Sequence, residues 1–201
     1  MKSLKKLLNI INKHIMQDIY LRNQPPPVEK FDHTSFISFL ASWIRPEHYL
    51  ELGIRGGENF IKISELSTKS TAVDINQLEF DIPSNSTFFK GFTDEFFMNL
   101  NPSVRFDLIF IDADHSHKQS LKDFLNAEKF LIDDGFIILH DTYPINEFYL
   151  DPTVCNDSYK TAHYIKQNLS DSFESLTLPF HPGLTIVKKI NKSKQLLWKD
   201  E

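Results

Sequence analysis

Apolar residues recur along this chain with two different periods, and the period changes from one stretch to the next. Short apolar runs of strand length occupy 48–53, 70–76, 86–91, 106–114 and 135–142. Before and between them, apolar residues recur every three or four positions at 34–43, 57–66, 94–100, 115–131 and 158–169. Short buried runs that alternate with amphipathic helices predict parallel strands covered by helices.

The C-terminal part has a different pattern. Two β-rich runs, FESLTLPF at 173–180 and LTIVKKI at 184–190, are joined by His-Pro-Gly at 181–183. Such runs with a short Pro-Gly turn predict an antiparallel hairpin. The predicted fold is therefore α/β: a Rossmann-like, doubly wound sheet of five parallel strands plus a C-terminal antiparallel hairpin, with helices on both faces.

The N-terminal 32 residues are set apart from this pattern. Residues 4–19 carry an apolar stripe at helical spacing, which indicates an amphipathic helix and not the continuous apolar core of a signal peptide. The proline-rich stretch 23–33 cannot be helical, and Thr34 is the predicted cap of the next helix. We expect an N-terminal helix and flap at 1–32, the main domain at 33–190 and a tail at 191–201. The first helix is expected to pack on the domain or to form a homodimer.

Composition narrows the class of protein. A chain of 201 residues is long enough for one α/β domain, and its net charge of −5 argues against a nucleic-acid partner. The single cysteine, Cys155, excludes an intrachain disulfide and a cysteine-rich metal site. No run of 18 apolar residues occurs, so no membrane partner is expected. The expected location is the cytoplasm.

The chemistry-bearing residues follow the predicted strands. In a doubly wound sheet, ligands bind outside the carboxyl ends of the strands. Each of the five predicted strands delivers acids, glycines or histidines there, whereas the strand bodies are apolar. These residues are Glu51, Gly53, Gly56 and Gly57, then Asp74, then Gly91, Thr93 and Asp94, then Asp112, Asp114 and His115, and finally His140, Asp141 and Thr142.

Two kinds of nucleotide cofactor fit the first two strand ends. Glycines at the first turn let the backbone approach a ligand, and Asp74 follows Gly53 at the spacing of an acid that binds ribose hydroxyls. A nicotinamide site requires a glycine where this chain has Arg55. NAD bound there would also place its pyrophosphate near Glu51, whose negative charge suits an ammonium group better. S-adenosylmethionine (SAM) carries an ammonium and no phosphate, so it is favoured over NAD.

These motifs resemble those of class I SAM-dependent methyltransferases, and within them the catechol and caffeoyl-CoA O-methyltransferase-like group and its bacterial relatives. The resemblance covers about residues 30–190. It rests on the order and spacing of five motifs: Glu51-x-Gly53-x-x-x-Gly57, Asp74, Gly91-x-Thr93, FDLIFIDADH at 106–115 and GFIILHDT at 135–142.

The resemblance implies a role for each matching position. Glu51 and the backbone around Gly53 would hold the methionine moiety, Asp74 the ribose, and Thr93 and Asp94 the adenine. Asp112 would lie near the methyl-transfer centre. The full set expected at the cofactor is Glu51, Gly53, Arg55, Gly57, Asn59, Asp74, Gly91, Thr93, Asp94 and Asp112.

The resemblance also implies a possible divalent cation, such as Mg²⁺, held by Asp112 and Asp141. Metal-dependent relatives have asparagine after the second aspartate, and this chain has Thr142, whose hydroxyl is a poorer ligand. The alternative is that Asp141 caps a turn and Thr142 bonds the backbone. Both interpretations remain open from the sequence.

His115 is the predicted catalytic base. It stands where metal-dependent relatives have a lysine, and a histidine beside carboxylates suits proton transfer from a hydroxyl. His117 and His140 are rivals, and His115 could instead pack the loop. We therefore expect a methyltransferase acting on a small-molecule acceptor, through oxygen. The alternatives are an inactive SAM-binding or interaction protein, or an NAD-dependent oxidoreductase.

Overall fold

The structure, a computed structural model, describes residues 31–191. The helices are α1 (His33–Ile44), α2 (Glu58–Ser64), α3 (Thr93–Asn99), α4 (His117–Ala127) and α5 (Tyr159–Asn168). The strands are β1 (His48–Leu52), β2 (Lys69–Asp74), β3 (Ser86–Lys90), β4 (Phe106–Ile111), β5 (Leu131–His140), β6 (Phe173–Leu178) and β7 (Leu184–Lys189). Single 3₁₀ turns lie at Glu128–Phe130 and Glu147–Leu150. The predicted N-terminal helix, most of the flap and the tail beyond 191 lie outside the described residues.

The seven strands form one sheet in the order β3-β2-β1-β4-β5-β7-β6. The first five are parallel, and β7 pairs antiparallel with both β5 and β6. This confirms the predicted fold. The chain runs outward from β1 to β3 and then returns to place β4 on the other side of β1. The carboxyl ends of β1 and β4 therefore flank the switch point at which such sheets bind ligands.

The core lies on both faces of the sheet. On one face, α1 and α2 contribute Ile37, Ala41, Phe60 and Ile63 to a buried cluster with β-strand residues such as Leu108 and Phe110. On the other face, α3, α4 and α5 bury Phe96, Phe97, Phe124 and Ile165 against Leu50, Ile109 and Ile137. Strands buried on both faces explain why β1 and β4 read as continuous apolar runs. In the described part of the chain, no helix is long and apolar enough to cross a membrane.

The predicted cap of α1 is wrong. The side chain of Asp32, and not that of Thr34, accepts the hydrogen bond from the backbone N–H of Ser35. Aspartate and threonine both serve as caps, and the apolar period alone did not fix the first residue of the helix. Placing the cap at Asp32 leaves His33 as the first residue of α1, directly above the carboxyl end of the sheet.

We expect Gly53→Ala to destabilise the fold by about 1–3 kcal/mol, the usual cost of forcing extra atoms into a packed interior. Gly53 has φ of +81°, and a Cβ there would lie 2.3 Å from the backbone oxygen of Asp112. Gly56 is the matched control, because a Cβ there would meet nothing within 4 Å. Urea unfolding of both variants tests this. Equal stability of the two would show that the turn adapts.

Candidate active site

A cavity of about 1440 Å³ opens at the carboxyl ends of the parallel strands. Every residue expected at the cofactor lines it, as do His115 and Asp141. The strand ends bring together residues that are up to 90 positions apart (Glu51 and Asp141) because parallel strands end at the same edge of the sheet. The strand-end residues predicted from the sequence therefore face one cavity, and the structure adds their contacts.

Glu51 is the buried carboxylate at the end of β1. It is 2% exposed, and its Oε2 accepts hydrogen bonds from the Tyr49 hydroxyl at 2.6 Å and from Asn59 Nδ2 at 2.9 Å. Both donors use the same oxygen, which leaves Oε1 for the cavity. Burial raises the pKa of Glu51 to about 8, although the two hydrogen bonds oppose the shift. Asn59 Oδ1 is also buried, without a partner in residues 31–191.

Asp74, at the end of β2, is bound to the turn after β1. Its Oδ2 accepts the backbone N–H groups of Ile54 and Arg55 at 3.0 and 3.1 Å, and its Oδ1 accepts that of Asn76 at 2.8 Å. Oδ1 thus keeps one acceptor site for a ligand hydroxyl. The same bonds hold Arg55 in a left-handed conformation, with φ of 41°. Asp74 therefore shapes the β1–α2 turn as well as facing the cavity.

The end of β3 is tied to α4. The Thr93 hydroxyl donates to Asp123 Oδ1 at 2.6 Å, and Asp94 pairs with Lys122 at 2.6 Å. Gln119, which also lines the cavity, donates to Asp123 Oδ1 at 2.9 Å. Burial raises the pKa of Asp123 to about 6. Thr93 and Asp94 thus face the cavity with geometry fixed by α4, a connection for which the sequence carried no signal.

Two carboxylates and two imidazoles meet where β4 and β5 end. His115 Nε2 lies 3.1 Å from Asp141 Oδ2 and 3.4 Å from Asp112 Oδ1. His140 Nδ1 lies 3.1 Å from Asp112 Oδ1 and 3.4 Å from Asp141 Oδ1. The structure therefore brings together the predicted base and the two predicted metal-binding aspartates, and it adds His140.

The opposite charges of the aspartates and imidazoles in this cluster stabilise one another and shift their pKa values. The hydrogen bond to Asp112 and the charge of Asp141 raise the pKa of His115 to about 9 despite its partial burial. Burial lowers the pKa of His140, but the two aspartates outweigh it and bring the value to about 10. Burial raises the pKa of Asp112, but the imidazoles more than offset this and leave it well below its usual range. In the cation-free cluster, His115 at neutral pH is thus an imidazolium, and it must lose its proton before it can act as a base.

The loop after β5 also contacts this cluster. His115 Nδ1 is hydrogen-bonded to the Val154 carbonyl, and the Ser158 hydroxyl donates to the backbone oxygen of Asp141 at 2.6 Å. The Cys155 thiol lies 3.4 Å from Asp141 Oδ1, and burial raises its pKa. Because Nδ1 faces a carbonyl, it carries the proton, and Nε2 faces the two carboxylates.

Thr142 lies apart from this cluster. Its hydroxyl accepts a hydrogen bond of 2.8 Å from Thr185 in β7, and it is not among the residues that line the cavity. These contacts favour a structural role for Thr142 over metal binding, although the partner of its hydroxyl is the Thr185 side chain and not the backbone, as the alternative had it. His117 also points away, since its ring bonds the Thr161 hydroxyl at 3.1 Å.

Three residues outside the strand-end set predicted from the sequence also line the cavity: His33, Tyr149 and His181. His33 lies 4.4 Å from His140 between ring centroids, and Tyr149 lies 3.9 Å from His181. Burial and the charge of His140 lower the pKa of His33, so this imidazole is neutral at pH 7. None of the three follows a strand of the parallel sheet, so the strand-end rule could not find them. The aspartate cap that precedes His33 was the one local signal.

Residues 50–142 match the family model described as a methyltransferase domain. This stretch of the chain is similar to a methyltransferase domain. The matched span begins within β1 and ends at Thr142, so it includes the end of β1, the other four parallel strands and every strand-end residue discussed above. No curated protein sequence matches the chain significantly.

Several solved structures share the fold of this chain. A protein assigned as a caffeoyl-CoA O-methyltransferase from Staphylococcus aureus is 18% identical, with a TM-score of 0.63 over 92% of this chain and 98% of that one. An O-methyltransferase from Bacillus cereus, solved with S-adenosylhomocysteine (SAH, the demethylated form of SAM), is 16% identical, with a TM-score of 0.62 over 88% of this chain and 89% of that one. The O-methyltransferase TomG from Streptomyces achromogenes, involved in tomaymycin synthesis and solved with SAM, is 12% identical, with a TM-score of 0.61 over 86% of each chain. The resemblance to class I methyltransferases is confirmed.

Proposed function

We propose that this chain is a SAM-dependent methyltransferase that acts on a hydroxyl oxygen of a small molecule. The observation that carries the proposal is the pairing, in one cavity, of a free carboxylate oxygen on Glu51 with the Asp112–His115–Asp141 cluster at the neighbouring strand ends. The first arrangement suits the ammonium of a methyl donor. The second suits activation of a hydroxyl.

The residues present fit SAM. Glu51 Oε1 and the unpartnered Asn59 Oδ1 offer two acceptors to the ammonium group. Asp74 Oδ1 retains an acceptor site for ribose. The exposed apolar side chains of Ile75 and Phe92 follow β2 and β3 and give a planar base two surfaces to pack on. A pyrophosphate would lie beside Glu51, which again disfavours NAD.

The chain's own residues supply positioning and proton transfer. SAM, when bound, supplies an electrophilic methyl group on its sulfonium. Glu51 and Asp74 would hold the donor, and the cavity beside Asp112 would position the acceptor for transfer. Tyr149 and Phe31 enclose the acceptor side and exclude water. In-line transfer needs little else from the protein when the nucleophile is an oxyanion.

The acceptor must lose a proton, and two imidazoles are placed to collect it. His115, the base predicted from the sequence, can do so only after losing its own proton to a carboxylate, and it could not do so while Nε2 held a cation. His33 is neutral and faces the same cavity, so it is the second candidate. A divalent cation held by Asp112, His115 and Asp141 would lower the pKa of the acceptor hydroxyl.

Two measurements test the proposal. Calorimetry should show binding of SAM and SAH and none of NAD. The purified chain, incubated with SAM and a panel of small hydroxyl compounds, should form SAH and a product heavier by one methyl group in mass spectrometry. Binding without transfer to any acceptor would support the inactive-binder alternative, and binding of NAD alone would overturn the proposal.

The affinity for SAH should depend on pH through Glu51. In the empty site its pKa is about 8, so below pH 8 a proton must leave before the carboxylate can pair with an ammonium. Affinity is therefore expected to rise by up to about tenfold per pH unit from pH 6 to 8, then level off. Calorimetry across this range measures it. Glu51→Gln is the control and should bind more weakly, without this rise; an equal rise in both would assign the effect to another group.

A further inference from the structure

The donor atoms of Asp112, His115 and Asp141 all lie within 4.8 Å of one another. Ligands about 2.1 Å from one cation and separated by about 90–110° lie roughly 3.0–3.4 Å apart. His115 Nε2 is 3.1 and 3.4 Å from the two carboxylate oxygens. The imidazole nitrogen therefore stands at ligand spacing from both aspartates.

The protonation of His115 is also set by its surroundings. A histidine that binds a metal usually donates its other ring N–H to a carbonyl or a carboxylate, which fixes the ring and its tautomer. Here Nδ1 is hydrogen-bonded to the Val154 carbonyl, and Nε2 faces the carboxylates. This arrangement is what a ligand requires.

The carboxylates are supported as ligands. His140 Nδ1 lies 3.1 Å from Asp112 Oδ1 and 3.4 Å from Asp141 Oδ1, and the Ser158 hydroxyl donates to the backbone oxygen of Asp141 at 2.6 Å. Hydrogen bonds of this kind orient metal-binding carboxylates. Asp141 itself is buried, so its position is fixed by the packed end of β5.

Resting on the function proposed above, we propose that His115 is a metal ligand through Nε2, and that the site selects an imidazole-binding divalent cation such as Mn²⁺ or Co²⁺ over Mg²⁺ or Ca²⁺. Imidazole suits first-row transition metals, whereas oxygen-only sites suit Mg²⁺ and Ca²⁺. The hydroxyl of Thr142 is held by Thr185, so the nitrogen of His115 takes the place of a third oxygen ligand.

The test uses the untagged full chain and the metals alone. Because a metal displaces a proton from histidine, Mn²⁺, Co²⁺ and Mg²⁺ are titrated at pH 8 by calorimetry. We expect Co²⁺ to bind at least about 100-fold more tightly than Mg²⁺, and His115→Asn to reduce this ratio at least about tenfold, because an amide oxygen replaces the nitrogen. His117→Asn is the matched control, since its ring bonds Thr161, and should keep the wild-type ratio.

Pulsed EPR of the Mn²⁺-loaded chain gives a direct signature. Coupling to an imidazole ¹⁴N is expected in wild type and in His117→Asn, and not in His115→Asn or His115→Gln. Thermal melting confirms that these variants fold. No divalent cation bound at millimolar concentration, or an unchanged ¹⁴N coupling in both His115 variants, would overturn the assignment and leave His115 as a counter-ion. SAH binding to wild type, measured in parallel, tests the proposed function separately.

Discussion

His115→Ala is expected to lower the rate of methyl transfer about 10²- to 10⁴-fold while changing the affinity for SAH less than about threefold. A positioned base or a cation that activates a hydroxyl contributes on this scale, whereas most of the proposed cofactor contacts lie at the ends of β1, β2 and β3. The imidazole lies between Asp112 and Asp141, so its removal leaves His140 to pair with both carboxylates. The measurement is SAH formation at saturating SAM with an acceptor identified from the panel.

His117→Ala is the matched control, because it lies two residues away on α4 and bonds Thr161 outside the cavity. Its turnover should stay near that of wild type. His33→Gln separates the two candidate bases: if His33 collects the proton, this variant should lose about 10²-fold in turnover at unchanged SAH affinity. Full turnover of His115→Ala would remove both the base and the cation-holding roles and leave positioning as the main catalytic effect.

Asp74→Ala is expected to weaken SAH binding by about 1.5–3 kcal/mol, or roughly 10- to 150-fold, the scale of hydrogen bonds to a charged group. Part of this loss has a structural origin, because Asp74 also accepts the backbone N–H groups of Ile54 and Arg55. Calorimetry measures the affinity, and thermal melting reports any loss of the turn. Asp81, an exposed acid in the same β2–β3 connection, is the matched control, and Asp81→Ala should bind like wild type.

Asp74→Asn separates the contribution of Asp74 to the turn from its contribution to cofactor binding. Its amide oxygen can still accept from the turn, but the side chain no longer carries the charge that strengthens bonds from ribose hydroxyls. We expect melting close to wild type with most of the affinity lost. Recovery of full affinity would assign Asp74 to the turn alone. Unchanged affinity in both Asp74→Ala and Glu51→Ala would show that the donor binds in another pose.

The sequence by itself determined the architecture and the location of the site. Strand and helix periods are local properties of the chain, and they placed all five parallel strands and the hairpin, with helix ends that differ by a few residues. The carboxyl ends of parallel strands meet at one edge, so the positions of Glu51, Asp74, Asp112 and Asp141 followed from the order of elements. The cap of α1 was missed because two neighbouring residues, Asp32 and Thr34, both suit that position.

Only the tertiary structure decided what these side chains touch. The proton on His115 Nδ1 depends on a carbonyl 39 residues away, at Val154, and the role of Thr142 depends on Thr185 in the hairpin. His33 reaches the cluster only because α1 begins above His140. Such contacts join residues that are distant in the chain, and their directions are set by packing against several elements at once. No period or spacing within a single element encodes these contacts. The sequence therefore predicted which residues form the candidate site, and only the tertiary structure gave their protonation and their partners.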